Sequence, residues 1–248
     1  MHAVILAAGV GRRLADINGQ RPKSLLEFDN VSLLARHLHI LRYYGIIHIT
    51  VVTGFKANQI SAELERHADG MAIQIRYNDN FQNGSVVSLH MAADVLREGR
   101  PILLMDADVL YDHKILGRLI NSQHDNCFLL DRDFEAGEEP VKLCVRNGHL
   151  IDFRKQIDKN LRFDFQGESV GFFRFSPAMA RTITTACNDY LEANRQEEPY
   201  EEVLRDQLHA APESFGYEDI TGMPWIEIDY AADIEAAERR ILPNITLP

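Results

Sequence analysis

Ala3-Val4-Ile5-Leu6-Ala7-Ala8-Gly9-Val10-Gly11-Arg12-Arg13-Leu14 opens on a short aliphatic run and ends in a glycine turn followed by two arginines. The run Ala3–Leu6 predicts a buried strand. Ligands of open α/β sheets sit beyond the carboxyl ends of the strands, which is where this turn falls. Gly9 and Gly11 allow backbone N–H groups to close around phosphate oxygens, and the small Ala7 and Ala8, with Leu6 before them, leave room for a base or ribose. A third glycine is missing, since position 14 is Leu, and no GK[ST] follows. A dinucleotide fingerprint and a Walker loop are therefore excluded.

Outward from the turn, Arg12, Arg13, Arg21 and Lys23 form a basic island opposed only by Asp16, in a chain of net charge −11. Glycine N–H donors plus clustered fixed positive charge suit a triphosphate; a solvated basic loop is the plainer alternative. The acidic remainder repels polyphosphate backbones, so neither nucleic acid nor an anionic membrane is an expected partner. No apolar run reaches the roughly 18 residues of a membrane span, and the start lacks a signal peptide's basic region, so a cytoplasmic location is expected. Cys127, Cys144 and Cys187 are scattered without ligand spacing and read as buried free thiols.

Ile47–Val52, Ala72–Tyr77 and Ile102–Met105 predict further strands, separated by helices over 33–44, 58–67 and 86–97. That alternation implies parallel strands with helical crossovers. Residues 141–146 and 149–153, joined by Asn147-Gly148, predict a hairpin with a primed turn. A strand at 170–175, helices at 178–193 and 201–209, a strand at 224–228 and a last helix at 231–241 complete the pattern. The chain reads as one α/β domain over 1–248, doubly wound on a mostly parallel, Rossmann-like mixed sheet. About 1–125 forms one half and about 126–248 the other.

Asp106-Ala107-Asp108 closes the strand at 101–105. Carboxylates at i and i+2 suit a hard cation such as Mg2+, or a turn or helix cap. Asp229 also follows a strand and precedes a helix, where an N-cap is the structural alternative to a ligand. Asn78–Leu89 carries amides and a glycine between a strand and a helix. Asn83 or Ser85 could cap that helix, or Asn83, Gly84 and Ser85 could read a base edge.

Leu6–Leu14 followed by Arg21-Pro22-Lys23-Ser24-Leu25 resembles the L-A-A-G-x-G-x-R-L…P-K signature of the sugar-phosphate and alcohol-phosphate nucleotidyltransferases. The resemblance implies their fold, Mg2+ as cofactor, and an NTP with a small phosphorylated acceptor as partners. It leaves room for a homodimer. It gives Arg13 the β- and γ-phosphates and Lys23 the bridge between the α-phosphate and the acceptor phosphate; Arg12 sits at a variable position. Asp108 and Asp229 match the family's two metal aspartates, with Asp106 beside them. Asn83-Gly84-Ser85-Val86-Val87-Ser88-Leu89 is closer to the phosphocholine, inositol-phosphate and aminoethylphosphonate cytidylyltransferases than to the G-T-A-G stretch of sugar-nucleotide enzymes, which implies CTP. Lys142 corresponds to a lysine aimed at the acceptor, unless it is an edge-strand surface lysine. Glu168 lies on the acceptor-side strand. The competing readings are a sugar-1-phosphate enzyme using UTP or dTTP, and a non-catalytic nucleotide-binding subunit.

Overall fold

The computed structural model describes residues 1–14, 19, 21–135 and 137–248; Asp16, the charge expected to oppose the basic island, lies outside them. The opening aliphatic run forms β1 (His2–Ala7). A small two-stranded flap, β2 (Glu27–Phe28) and β3 (Val31–Ser32), leads into α1 (Leu33–Tyr43), where Ser32 Oγ accepts from Ala35 N at 3.0 Å. The chain turns past α1 at Gly45, whose φ of 70° is the left-handed geometry glycine accepts. Then come β4 (His48–Thr53), α2 (Ala57–His67), β5 (Ala72–Tyr77), α3 (Ser85–His90), α4 (Ala93–Leu96) and β6 (Ile102–Asp106). The single helix expected over 86–97 is thus two, divided at Ala92 (φ −94°, ψ 10°), and both pieces bury their apolar residues in one core.

The chain continues through β7 (Val109–Tyr111), α5 (His113–Asn121), β8 (Asn126–Asp131), β9 (Lys142–Arg146), β10 (His149–Arg154), β11 (Phe165–Phe175), α6 (Pro177–Glu192), α7 (Tyr200–Ala210), β12 (Phe215–Asp219), β13 (Trp225–Glu227) and α8 (Ala231–Ala236). The hairpin turn is of the expected kind, with φ of 51° at Asn147 and 78° at Gly148. The strand expected at 170–175 is the end of the longer β11, and β8 and β12 join the sheet as well.

The main sheet runs β10-β9-β11-β6-β1-β4-β5, with β8 paired to β11 and β12 to β8. From β5 through β4 and β1 to β6 every pair is parallel, and from β6 through β11 to β9 and β10 every pair is antiparallel. Alternate side chains of β1 enter opposite cores: Val4 faces one with α3, α6 and α7, while Ala3 and Ile5 face the other with α1 and α5. Burial on both faces explains why these strands read as continuous apolar runs. The three cysteines are buried and free, with burial pushing the Cys144 and Cys187 thiols to about 12. Among the described residues no helix is long and apolar enough to cross a membrane.

Candidate active site

The glycine turn leaves β1 at the carboxyl edge of the parallel strands. Ala8 O accepts from Phe55 N at 3.1 Å, which ties the turn to the end of β4. Gly11 takes φ 63°, and Leu14 N closes the turn on Gly11 O at 3.0 Å. Arg12 and Arg13 stand exposed on the resulting 3-10 turn. Lys23 opens a second such turn between buried Pro22 and Ser24, so its stem is held from both sides. Leu6, Ala7, Gly9 and Gly11 then line a cavity of about 120 Å³ with Lys23 and Asp108, and Ala8 is buried beneath them.

Three carboxylates converge around Asp108. Asp108, Glu227 and Asp229 place one ligand atom each within 4.8 Å of one another. The spacing has a structural cause. Ile228 N donates to Asp108 O at 3.0 Å, and Ile228 shares a small core with Leu14, Phe28, Leu33 and Leu110. One apolar cluster thereby sets residues adjoining Arg13, Asp108, Glu227 and Asp229 side by side. Lys23 Nζ donates to Asp108 Oδ2 at 3.2 Å and also to Asp229 Oδ1. Burial opposes that charge, but Asp108 and Asp229 outweigh it and hold the ammonium above its ordinary value. Glu227, although exposed as a residue, has its carboxyl pushed well above the usual range by loss of water and then by the charges of Asp108 and Asp229. A set of oxygen donors that already attracts a cation fits a hard divalent ion. Asp229 is not the N-cap: Tyr230 occupies that position, and Asp233 Oδ2 accepts from the N–H groups of both Asp229 and Tyr230, at 2.8 and 2.6 Å.

Arg13 bonds residues remote in the chain. Its guanidinium donates to Glu139 Oε1 at 2.8 Å and Asp229 Oδ2 at 3.4 Å, and lies 4.8 Å from the centre of the Tyr230 ring. Glu139 also accepts from Lys155 Nζ at 3.2 Å and from Tyr230 Oη at 3.2 Å. Its carboxyl is held below the ordinary range: the small cost of burial is outweighed by its bonds to Lys155 and Arg13. Arg21 pairs with Glu27 at 3.1 Å.

The other candidates lie along the antiparallel strands. Register sets Glu168 of β11 opposite Lys142 of β9 on one side and Asp131 of β8 on the other. Lys142 Nζ donates to the carbonyls of Lys155 at 2.7 Å and Pro140 at 3.1 Å, so it braces the loop between β8 and β9. Burial, then the charge of Asp131, pushes Glu168 up to about 7. Asp131 accepts from Trp225 Nε1 at 2.7 Å. Asp106 accepts from Tyr200 Oη at 2.7 Å, and burial, then the charge of Asp108, pushes its carboxyl well above the usual range. Phe153 and Phe172 are fully buried core.

Gly84 donates its N–H to Gln196 O at 2.9 Å, and a Cβ there would lie 2.1 Å from Glu198 O, so only glycine permits the approach. Ser85 Oγ accepts from Tyr200 N at 2.9 Å. Gly84 rather than Asn83 or Ser85 is the N-cap of α3, and no side chain caps it. Arg13, Lys23, Asp108 and Asp229 therefore come together as one cluster. Gly84 and Ser85 dock on the start of α7 and the segment before it, while Asn83 N turns back to Asn80 O, and Lys142 and Glu168 face each other on the sheet. Glu227 and Glu139 were not singled out from the sequence. Glu227 is two residues before Asp229, an i,i+2 signal as plain as Asp106 and Asp108; Glu139 has no local signal, because its partners are remote in the chain.

Comparison with known proteins identifies the family. Residues 3–209 match the family described as MobA-like NTP transferase domain. The chain is 23% identical to a CTP:phosphoglutamine cytidylyltransferase of Campylobacter jejuni, covering 95% of this chain and 98% of the relative. It is 27% identical to the UTP–glucose-1-phosphate uridylyltransferase AglF of Haloferax volcanii, covering 99% and 98%. Of longer relatives it spans 39% to 61% of the length. Among solved structures, the inositol-1-phosphate CTP transferase from T. maritima superposes with a TM-score of 0.76 at 18% identity, covering 99% of this chain and 97% of the other. Matching the family over residues 3–209, with the glycine turn, Lys23 and Asp108 lining one cavity and Glu227 and Asp229 clustered on Asp108, the chain belongs to the MobA-like NTP transferases and is a nucleotidyltransferase.

Proposed function

We propose that this chain transfers CMP from CTP to a small phosphorylated alcohol or phosphonate and releases pyrophosphate. The carrying observation is Lys23, whose ammonium lies between Asp108 and Asp229 at the mouth of the glycine-lined cavity. The half up to about 125 holds the nucleotide and the half from about 126 the acceptor. An acceptor phosphate oxygen forms the new bond to the α-phosphorus, while the bond from that phosphorus to the bridging oxygen breaks and its electron pair leaves with pyrophosphate. Lys23 is placed to neutralise the α-phosphate and orient the incoming oxygen, and Arg13, on exchanging Glu139 for phosphate, to hold the departing phosphates. Mg2+ held by Asp108, Glu227 and Asp229 would offset negative charge on the phosphate oxygens. No side-chain nucleophile is required.

The cytidylyl assignment rests on Asn83–Leu89, which lacks a G-T-A-G stretch, and on the cytidylyltransferase relative. AglF supports a second reading, a UTP-dependent sugar-1-phosphate enzyme. A pyrophosphate-release screen separates them by crossing CTP, UTP, dTTP and GTP with phosphocholine, aminoethylphosphonate, inositol phosphate and glucose 1-phosphate. A pocket built for cytosine leaves polar groups unpaired when uracil enters, so CTP should exceed UTP by roughly tenfold or more in kcat/KM. Preference for UTP or dTTP with the hexose phosphate would reject the cytidylyl reading and leave nucleotidyl transfer standing.

A further inference from the structure

Ser24 lines the same cavity as Gly9, Gly11, Lys23 and Asp108, and it is 3% exposed. Its Oγ meets no hydrogen-bond partner among the described residues. Its chain neighbours on the 3-10 turn do other work: Lys23 bridges Asp108 and Asp229, and Leu25 packs with Leu34 and Leu38 of α1. A buried hydroxyl left without a partner destabilises the fold, and alanine would fill this position without that cost. A hydroxyl kept there needs a partner that arrives from outside.

The surroundings define that partner. The cavity wall beside Ser24 holds the glycine turn, the Lys23 ammonium and the Asp108 carboxylate that pairs with it, so Lys23 is the one cation lining it among the described residues, and glycine turns of this kind offer backbone N–H donors. An anion is the complementary occupant, and a hydroxyl donates to one. Lys23 and Asp108 also mark this cavity as the place where the α-phosphate reacts, if the proposed function holds. We propose that Ser24 is a nucleotide-binding residue whose hydroxyl donates a hydrogen bond to an α-phosphoryl oxygen, stabilising the bound nucleotide at the expense of the free protein.

The proposal gives Ser24 opposite effects on stability and on binding, which a structural hydroxyl would not show. Ser24→Ala should leave Tm unchanged or raise it. By calorimetry on the full chain, the same variant should bind CTP and CMP each about tenfold more weakly, the size of a hydrogen bond to a charged acceptor. Inorganic pyrophosphate, which has no α-phosphate, should bind as it does to the unaltered chain. Ser24→Cys, which keeps the volume and supplies only a weak donor, should behave like Ser24→Ala. A lower Tm with unchanged nucleotide affinity would assign the hydroxyl to the fold and overturn the proposal, as would a loss confined to pyrophosphate. The unaltered chain is the control for the underlying reading. If it binds neither CTP nor UTP, nucleotidyl transfer itself fails; if it binds either and Ser24→Ala matches it for that nucleotide and its monophosphate, Ser24 alone is wrongly assigned.

Discussion

The side proposed to hold the nucleotide and the side proposed to hold the acceptor are built in opposite ways. On the nucleotide side, consecutive residues at the end of β1 supply the turn, and one small core brings Asp108 and Ile228 into backbone contact. Groups of opposite charge are already satisfied there, with Lys23 on Asp108 and Asp229. On the acceptor side, Lys142, Glu168 and Asp131 come from three neighbouring antiparallel strands and meet only through register. Lys142 spends its donors on carbonyls, leaving two carboxyls side by side. A paired cluster suits charge neutralisation during reaction, whereas an under-neutralised one suits discrimination among acceptors.

The widest separation of the two sides should come from Lys23→Ala. Removing charge stabilisation at the reacting phosphate should lower kcat/KM by about 100-fold or more. Near-normal turnover by a folded variant would refute the role. In the absence of nucleotide, the same variant should bind Mn2+ several-fold more tightly, because the ammonium competes for Asp108 and Asp229. A weaker or unchanged Mn2+ titration would show that the carboxylates do not form the metal site. Asp229→Asn should weaken that titration with little change in Tm, since Asp233 rather than Asp229 caps α8.

Lys142→Ala probes the other side. It should raise the acceptor KM by roughly tenfold through loosening of the loop that Lys142 braces, while the CTP-to-UTP ratio stays fixed. A changed nucleotide preference would mean that the two sides are not separable. Smaller still is Glu139→Gln. It weakens the tie among Arg13, Lys155 and Tyr230, exposed links worth little individually, so kcat/KM should move by no more than about threefold. A loss above tenfold would make Glu139 part of the reacting arrangement.

This division also explains what could be read from sequence. The parallel half, the turn after β1, Lys23 and both aspartates were legible because strand period, glycine geometry and short motifs are local. Asn147-Gly148 marked the hairpin turn by the conformations those residues favour. The extra strands β8 and β12, the longer β11 and the role of Glu139 depend on partners far along the chain. Asn83–Ser85 show the limit of a local motif: the polar segment is there, but Ser85 Oγ and Gly84 N are bound to the segment leading into α7. Glu227 was legible and passed over, since alternation along a strand puts it on the same face as Asp229.

The least effect is expected on stability, and it tests whether the acceptor side is under-neutralised. Glu168 faces Asp131 from β8 and Lys142 from β9, with Asp229 and Asp233 nearby. Burial and then Asp131 push its carboxyl to about 7, against 4.5 in an unfolded chain. A folded-state value above the unfolded one means that the native chain binds more protons than the unfolded chain between those two values. The favourable contribution is therefore fully present below about pH 4.5 and is lost as pH rises through about 7. Glu168→Gln removes the titration and keeps the shape. Its Tm should lie a few degrees above that of the unaltered chain at pH 8, at about 2–4 °C per kcal/mol for a chain of this size, and the two should converge towards pH 4.5. Parallel Tm curves across that window would show that Lys142 already neutralises Glu168, and the contrast between the two sides of the site would disappear.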